Sequence, residues 1–335
     1  MSVQTSNPVP APDTIRRLSY DVYSSFAFLA ALELDLFSPL ANGPLDSVAL
    51  ANVIQVDPRR IRNLLYVLVE AGLLRVDGDR YANSEEAQHY LVRGSPRYMA
   101  GAFEQFKIGW SIALNHTVKS LRTGVPQSRW MDLPDAAKAA WLRGLRSQND
   151  LTALELARRW DWSGCRTFAD LAGGAGELSI ALSRQFPSLH ATIFEHPSTV
   201  PITQQLIAEA GATERVSVVA ADVIDGRLEG QFDAAAMRFF LQMLPEKQAI
   251  CAIRNAASVI RPGGALYVCD LILDDSRTTP REVVRVGVVF LNLFDSEEIF
   301  TESDYRRWMG EAGLVRIERV LTPYGFSIMR GVKPV

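Results

Sequence analysis

The sequence predicts an α/β protein: a seven-stranded, mostly parallel sheet covered by helices on both faces, preceded by a mostly helical N-terminal domain. Three observations carry this. From residue 161 onward, short apolar runs alternate with amphipathic stretches, the pattern of strand–crossover–strand units. The chain then closes on two strand-like runs around Pro323-Tyr324-Gly325, a hairpin signal. Before residue 160, helical periodicity dominates and one short hairpin interrupts it. With 335 residues, 48% of them hydrophobic and 22% charged, the chain has material for two cores.

The elements follow in order. Met1–Pro12 is polar and proline-rich, so residues 1–14 are expected to form a disordered tail. Phe26–Leu40 carries apolar residues at helical spacing until Asn42-Gly43-Pro44 stops it. Leu45–Ile54 reads as a second short helix. Asp57-Pro58 caps a third, Arg59–Ala71, in which Ile61, Leu64, Leu65 and Leu68 share one face and Gly72 marks the end. Leu73–Val76, the turn Asp77-Gly78 and Arg80-Tyr81 read as a hairpin. Three helices and a hairpin make a winged-helix arrangement over residues 15–100. Phe26, Phe28, Leu29, Leu32, Leu36 and Phe37 offer more apolar surface than so small a domain covers, which predicts a homodimer.

Residues 101–160 read as a helical connecting segment rich in aromatics, among them Phe103, Phe106, Trp110, Trp130, Trp141 and Trp160. Residues 161–335 hold the strands Thr167–Leu171, Ala191–Phe194, Val216–Ala220, Ala234–Met237 and Ala265–Leu273, with a helix-capable stretch after each of the first four. The helix Glu302–Ala312 and the strands Val315–Leu321 and Phe326–Val332 complete the sheet.

A net charge of −3 gives no overall attraction to nucleic acid or to acidic membranes. Neither a signal-peptide pattern nor an 18-residue apolar run is present, so a soluble cytoplasmic protein is expected. Cys165, Cys251 and Cys269 show neither disulfide nor metal spacing, and their odd count suits a reducing compartment. Arg59, Arg60 and Arg62 at the start of the third helix keep a DNA-binding winged helix open as a reading. The acidic wing Asp77-Gly78-Asp79 opposes it by repelling phosphate.

The chemistry concentrates at Asp170-Leu-Ala-Gly-Gly-Ala-Gly-Glu-Leu178, where a strand end meets a glycine turn and then an amphipathic helix. Gly173, Gly174 and Gly176 let a bound cofactor approach the backbone more closely than a Cβ would allow. The loop amides and the following helix N-terminus face its polar part. Gly174-x-Gly176-x-x-Ser179 also approximates a dinucleotide fingerprint. Glu195 ends the second strand, 19 residues beyond Gly176, where a carboxylate can accept both hydrogen bonds of a ribose diol. Asp222, with Val223 beside it, ends the third strand and can take an adenine amino group. Arg238 follows the fourth strand, where its guanidinium can hold a carboxylate.

Asp-x-Ala-Gly-Gly-x-Gly-x-Leu, Phe-Glu-His-Pro, Ala-Ala-Asp and Arg261-Pro262-Gly263-Gly264 before a strand, in this order and spacing, resemble the S-adenosylmethionine-dependent small-molecule O-methyltransferases. The resemblance is to the branch with an N-terminal winged-helix dimerisation domain and spans about 20–333. It implies a Rossmann-like methyltransferase sheet, S-adenosylmethionine as cofactor, a homodimer and a small aromatic acceptor. It also implies that the glycine loop cradles the methionine part, that Glu195 binds ribose and that Asp222 lies by adenine. The cofactor set is then Asp170, Gly173, Gly174, Gly176, Glu195, Asp222, Val223 and Arg238. A nicotinamide fits less well, because dinucleotide folds keep an apolar residue where this strand ends on Asp170.

The resemblance breaks at the proton acceptor. Relatives that methylate a hydroxyl carry His-Asp-Trp after the fourth strand, whereas Arg238-Phe239-Phe240-Leu241-Gln242-Met243-Leu244-Pro245 puts Gln242 at the histidine position. The four histidines are His89, His116, His190 and His196; only His116, in the middle helices, is a candidate to face a pocket. Where the resemblance implies a glutamate orienting that histidine, Ile299 stands beside Glu297 and Glu298. Glutamine is no base near neutral pH, but it donates and accepts hydrogen bonds.

Three readings follow. The enzyme methylates an acceptor that needs little deprotonation (an acidic phenol, an activated carbon or a ring nitrogen), with alignment contributing ~7–11 kcal/mol. Alternatively, the sulfonium charge assists non-methylating chemistry such as hydroxylation or a pericyclic rearrangement. Or the protein is no enzyme and binds DNA. Phe106, Trp110, Asn149, Phe240, Met243 and Asn292, with Leu145, Phe290 and Phe294, are the candidate lining of a site for a flat, apolar acceptor. Asp295, Glu297 and Glu298 form an acidic cluster able to meet a polar substituent.

Overall fold

The computed structural model describes residues 10–296 and 299–335. It divides into two compact units, one ending at Phe103 and one running from Glu104 to Val335. The first holds α1 (Asp13–Glu33), β1 (Leu45–Asp46), α2 (Ser47–Val53), α3 (Ile61–Glu70), β2 (Leu74–Asp77), β3 (Arg80–Asn83) and α4 (Glu85–Tyr90). Of the expected tail, residues 1–9 lie outside the described residues, and its last two already belong to α1.

Two helix ends show why the sequence reading ran long in one case and stopped correctly in the other. After α3, Gly72 takes φ 78° while Leu73 N–H bonds Leu68 O at 2.9 Å, closing a Schellman motif. After α1 the same motif forms around a non-glycine residue: Asp35 takes φ 51°, and Leu36 N–H bonds Ala31 O at 2.9 Å. The helix therefore stops at Glu33, although apolar spacing continues into Leu36 and Phe37. Asp46 likewise divides the expected second helix. Its Oδ1 accepts from Val48 and Ala49 N–H at 2.9 and 2.8 Å, so α2 starts at Ser47, while Leu45 pairs with Tyr81 across β1 and β3.

Leu36, Phe37, Leu50, Leu65 and Leu68 form the inaccessible centre of this unit. This corrects the expected dimer surface. Leu36 and Phe37 are buried in their own unit, Phe28 and Leu32 pack on its core, and Leu29 is half-buried, leaving Phe26 as the exposed member. The exposed apolar stripe lies earlier on α1, at Ile15, Leu18, Val22 and Phe26.

α5 (Phe103–Thr123), whose first residue is the last of the first unit, and α6 (Asp135–Arg159) make up the segment read as a helical connector. Then come β4 (Thr167–Leu171), α7 (Glu177–Gln185), β5 (His190–Glu195), α8 (Val200–Glu209), β6 (Val216–Ala220), β7 (Phe232–Arg238), α9 (Glu246–Ser258) and β8 (Ile260–Asp270). The chain ends with α10 (Arg281–Leu293), α11 (Glu302–Glu311), β9 (Val315–Leu321) and β10 (Ser327–Val332). The strand order is β6-β5-β4-β7-β8-β10-β9; β10 runs antiparallel to both neighbours and the other pairings are parallel. Alternate residues of the central strands feed two cores. Ala169, Leu171, Ala235 and Met237 face one, and Phe168, Ala234, Ala236 and Cys269 face the other.

One expected helix is missing among the described residues: β6 connects to β7 without one. Asp222 Oδ1 accepts from Ile224 and Asp225 N–H at 2.9 and 3.2 Å, winding the chain into a turn. Asn255 Nδ2, from α9, then pins that turn through the carbonyls of Val223, Ile224 and Gly226 at 3.2, 2.8 and 3.1 Å. No described helix is long and apolar enough to cross a membrane.

Leu68→Ala, at a wholly buried position, is expected to lower stability by about 2–5 kcal/mol in denaturant unfolding. Leu114→Ala, on an 82% exposed residue of α5, should stay within about 0.5 kcal/mol. Equal effects would contradict this account of the first unit's core.

Candidate active site

β4 and its neighbours β5 and β7 lead away in opposite directions of the strand order, which opens a crevice at the carboxyl ends of the parallel strands. The glycine turn lies there. A Cβ on Gly173 would stand 2.7 Å from the Asp170 carboxyl carbon, and one on Gly176 would stand 2.6 Å from Ile193 Cδ1. A side chain at Gly173 would have to displace the buried Asp170 carboxyl and one at Gly176 the tip of Ile193, and Gly176 adds a φ of 75° as the N-cap of α7, which strains any other residue. Three bonds hold the turn: Gly176 N–H to Gly173 O at 2.9 Å, Ala172 N–H to Phe194 O at 2.8 Å, and Thr203 Oγ1 donating to Gly174 O at 2.6 Å.

Glu195 closes the turn from β5. Its Oε2 accepts from Gly174 N–H and its Oε1 from His196 N–H, both at 2.8 Å. Each oxygen keeps a further lone pair, which is what a ribose diol requires. Asp222, at the end of β6, is exposed; its Oδ1 serves the turn described above, and Val223 beside it is buried.

Asp170, only 1% exposed, accepts from Ser179 Oγ at 2.7 Å. Burial pushes its carboxyl up to about 6, with the Glu195 charge adding to the effect and Ser179 and Arg238 opposing it. Arg238, at the end of β7, donates from Nε to Thr152 Oγ1 of α6 at 2.9 Å, and its guanidinium carbon lies 4.0 Å from the Phe239 ring centre. Burial brings its pKa down to about 10, which leaves it cationic at neutral pH. Asn149, also on α6, donates to Glu177 Oε2 at 3.1 Å. Thus α6 meets the crevice at two points, and Asn149 serves the first turn of α7 rather than the apolar cluster expected to receive an acceptor.

Gln242 sits in a short 3-10 helix, Leu241–Met243, directly after β7 and is 5% exposed. Its Oε1 accepts the N–H of Leu271 at 2.8 Å. A backbone N–H only donates, so this bond identifies the oxygen end of the amide. Nε2, a pure donor, meets no partner among the described residues. Next to it, Met243 and Leu271 pack on a cluster containing Ile112, Trp141, Phe290, Leu293 and Phe294.

Other expected lining residues lie elsewhere. Phe240 packs against the sheet core. Asn292 is fully buried, with Oδ1 accepting from Ser120 Oγ at 2.6 Å and Nδ2 donating to Thr117 Oγ1 at 3.0 Å and Val288 O at 2.8 Å. Its amide is consumed in tying α10 to α5, which removes it as a substrate anchor. On α5, Phe106 is 36% exposed and Trp110 half-buried, and neither belongs to the buried cluster. The Leu145 side chain and residues Glu297 and Glu298 lie outside what is described. Asp295 is exposed and paired with Arg129 at 3.1 Å.

His116 is half-buried on α5, and exposed His196 places Nδ1 2.7 Å from Ser198 Oγ. His190 begins β5, at the opposite end of the sheet from the crevice, and His89 lies on α4 of the first unit. Sequence reasoning missed Asp270, which ends β8 wholly buried and accepts from Tyr305 Oη at 2.9 Å. Its signal was available, because Asp270 ends an apolar run just as Asp170 does.

Residues 123–315 match the O-methyltransferase domain family, and residues 17–93 match the O-methyltransferase dimerisation domain. The chain belongs to this family and is an S-adenosylmethionine-dependent methyltransferase. Among its relatives, the 3-hydroxy-5-methyl-1-naphthoate 3-O-methyltransferase of Streptomyces sahachiroi is 29% identical, over 96% of this chain and 95% of that one. The N,N-dimethyltransferase OxyT of Streptomyces rimosus is 30% identical, over 98% of each. Human N-acetylserotonin methyltransferase, solved in complex with S-adenosylmethionine, shares the fold with a TM-score of 0.79 at 20% identity, over 99% of this chain and 100% of that one.

Ionising Asp170 costs more in the folded protein than in the unfolded chain, so its folded pKa is the higher one and stability declines as pH rises from about 4 to about 6. Asp170→Asn should therefore be more stable than the parent by roughly 1–3 kcal/mol at about pH 7.5, with the gain vanishing near pH 4. Denaturant unfolding of the ligand-free protein at both pH values checks this; a difference that ignores pH contradicts it.

Proposed function

We propose that this enzyme methylates a small, flat aromatic acceptor whose reacting atom reaches the site already able to attack, so that the protein supplies alignment and no base. The observation that carries the reading is Gln242: Leu271 N–H fixes its oxygen, and the end without a partner among the described residues, Nε2, is a donor. A donor there selects an acceptor presenting a lone pair, such as an ionised phenol or the carbonyl beside one. The naphthoate named for the relative is an aromatic acceptor of this kind, and the cluster around Met243 and Leu271 has the apolar character that such a ring requires.

The crevice residues divide the cofactor among them. Glu195 offers its spare lone pairs to the ribose hydroxyls, Asp222 takes the adenine amino group above Val223, and the Asp170–Gly176 turn with Arg238 receives the amino-acid part. When bound, S-adenosylmethionine supplies a methyl group made electrophilic by its sulfonium. Gln242 Nε2 holds the acceptor oxygen, and the apolar walls keep water from competing.

Two copies pair, in this reading, through the Ile15, Leu18, Val22 and Phe26 stripe of α1, within the segment that matches the dimerisation domain or just before it. The three free cysteines suit the cytoplasm, where we place the enzyme.

With an acidic hydroxynaphthoate as acceptor, S-adenosylhomocysteine should form one for one with methylated product. Gln242→Ala should lower turnover about tenfold, against the ~10²–10⁴-fold expected for loss of a general base. Product without S-adenosylhomocysteine, or a loss beyond about a hundredfold with cofactor affinity intact, would sink this reading. Light scattering at micromolar concentration should give a dimer that Leu18→Glu/Val22→Glu dissociates; a monomeric parent protein rules out the pairing.

A further inference from the structure

Asn292 stands on α10 between Phe290 and Leu293, two members of the apolar cluster proposed to receive the acceptor, yet its amide serves a polar junction with α5. Its Oδ1 accepts from Ser120 Oγ at 2.6 Å, and its Nδ2 donates to Thr117 Oγ1 at 3.0 Å and to Val288 O at 2.8 Å. Thr117 Oγ1 donates in turn to Ala113 O at 2.7 Å. Asn292 has no exposed surface and Ser120 is 4% exposed. Every bond in this chain has a fixed direction. Exchange of either side chain for an apolar one therefore leaves a buried polar group without its partner.

The same junction holds the segment 124–133, which leads from α5 to α6. Two of its backbone N–H groups are spent there: Gln127 N–H on Ser120 Oγ at 3.2 Å, and Ser128 N–H on the Asn292 carbonyl at 3.0 Å. Two residues later Trp130 opens a 3-10 turn and packs on the apolar cluster, its ring centre 5.7 Å from that of Trp141. Arg129 and Asp295, paired at 3.1 Å, also join this segment to the chain just after α10. Their side chains are 46% and 59% exposed, and an ion pair so open to water holds little. The buried bonds decide where Trp130 stands.

We infer that Ser120 and Asn292 are positioning residues for acceptor binding: by fixing residues 127 and 128 they seat Trp130 as one wall of the acceptor site. This rests on the reading above that the acceptor ring enters this cluster. Neither residue touches acceptor or cofactor in this role; both act through the indole.

The test is a double-mutant cycle on the full-length enzyme, assayed with S-adenosylmethionine and an acidic hydroxynaphthoate. Ser120→Ala should raise the KM for the hydroxynaphthoate about fivefold, with kcat and the KM for S-adenosylmethionine within about twofold of the parent. In the Trp130→Ala background, which itself has a raised acceptor KM, Ser120→Ala should change it no further. Ser120→Cys, close in size but a weak donor, should give about a twofold rise and carries the cycle alone if Ser120→Ala does not fold. If Trp130→Ala raises the acceptor KM while Ser120→Ala leaves it unchanged, or raises it equally in both backgrounds, the positioning role is overturned and the reading of the cluster stands. A Trp130→Ala variant with an unchanged acceptor KM overturns both.

Discussion

The contact on which the site depends is the approach of the glycine turn to the Asp170 carboxyl and the β5 side chain Ile193. At Gly173 and Gly176 there is no space for even one more carbon, since it would lie 2.7 Å and 2.6 Å from its nearest neighbours. That approach lets the Gly174 N–H reach Glu195, which couples the ends of β4 and β5 in a single hydrogen bond. It also presses Asp170 into an enclosed position, where burial lifts its carboxyl toward neutral pH. A cationic ligand entering the crevice finds a carboxyl that gains from ionising beside it. The strand order makes this possible, because the chain leaves β4 for β5 on one side and β7 on the other.

The second feature is the Gln242 amide, at the position where the sequence resemblance implies an imidazole. In the proposed reading, proton transfer falls to the acceptor and the protein's task is orientation. Magnitudes make this tolerable: a general base contributes ~10²–10⁴-fold, whereas well-ordered alignment contributes ~7–11 kcal/mol of the barrier. An acceptor that ionises on its own loses little when the base is absent. Locally, the glutamine is buried, its oxygen is engaged by Leu271, and its turn is tied to the end of β8 through Cys269 and Leu271.

Much of this was legible in the residues. Thr167–Leu171, Val216–Ala220 and Val315–Leu321 form strands with the expected bounds, because each is a short β-prone run set off by turn or polar residues. Asp170, Glu195, Asp222 and Arg238 arrive at one edge because strand ends in a parallel sheet share it. What escaped depended on the third dimension. Asp35 adopts a left-handed conformation that glycine usually takes, so the end of α1 was hidden. Asn292 looked like a substrate anchor, yet an amide on a helix can equally be spent on Ser120 and Thr117 of a neighbouring one. Leu36 and Phe37 suggested a surface between copies, and their own domain buries them. Periodicity shows that a face is apolar; it does not say what covers it.

The central claim is that the acceptor, and not a side chain of this enzyme, governs the protonation needed for attack. The pH dependence of kcat/KM at saturating S-adenosylmethionine, measured over a series of hydroxylated aromatic acceptors of graded acidity, tests this directly. The account predicts an inflection that moves with the acidity of each acceptor; a single inflection at one pH for the whole series would contradict it and restore a protein base.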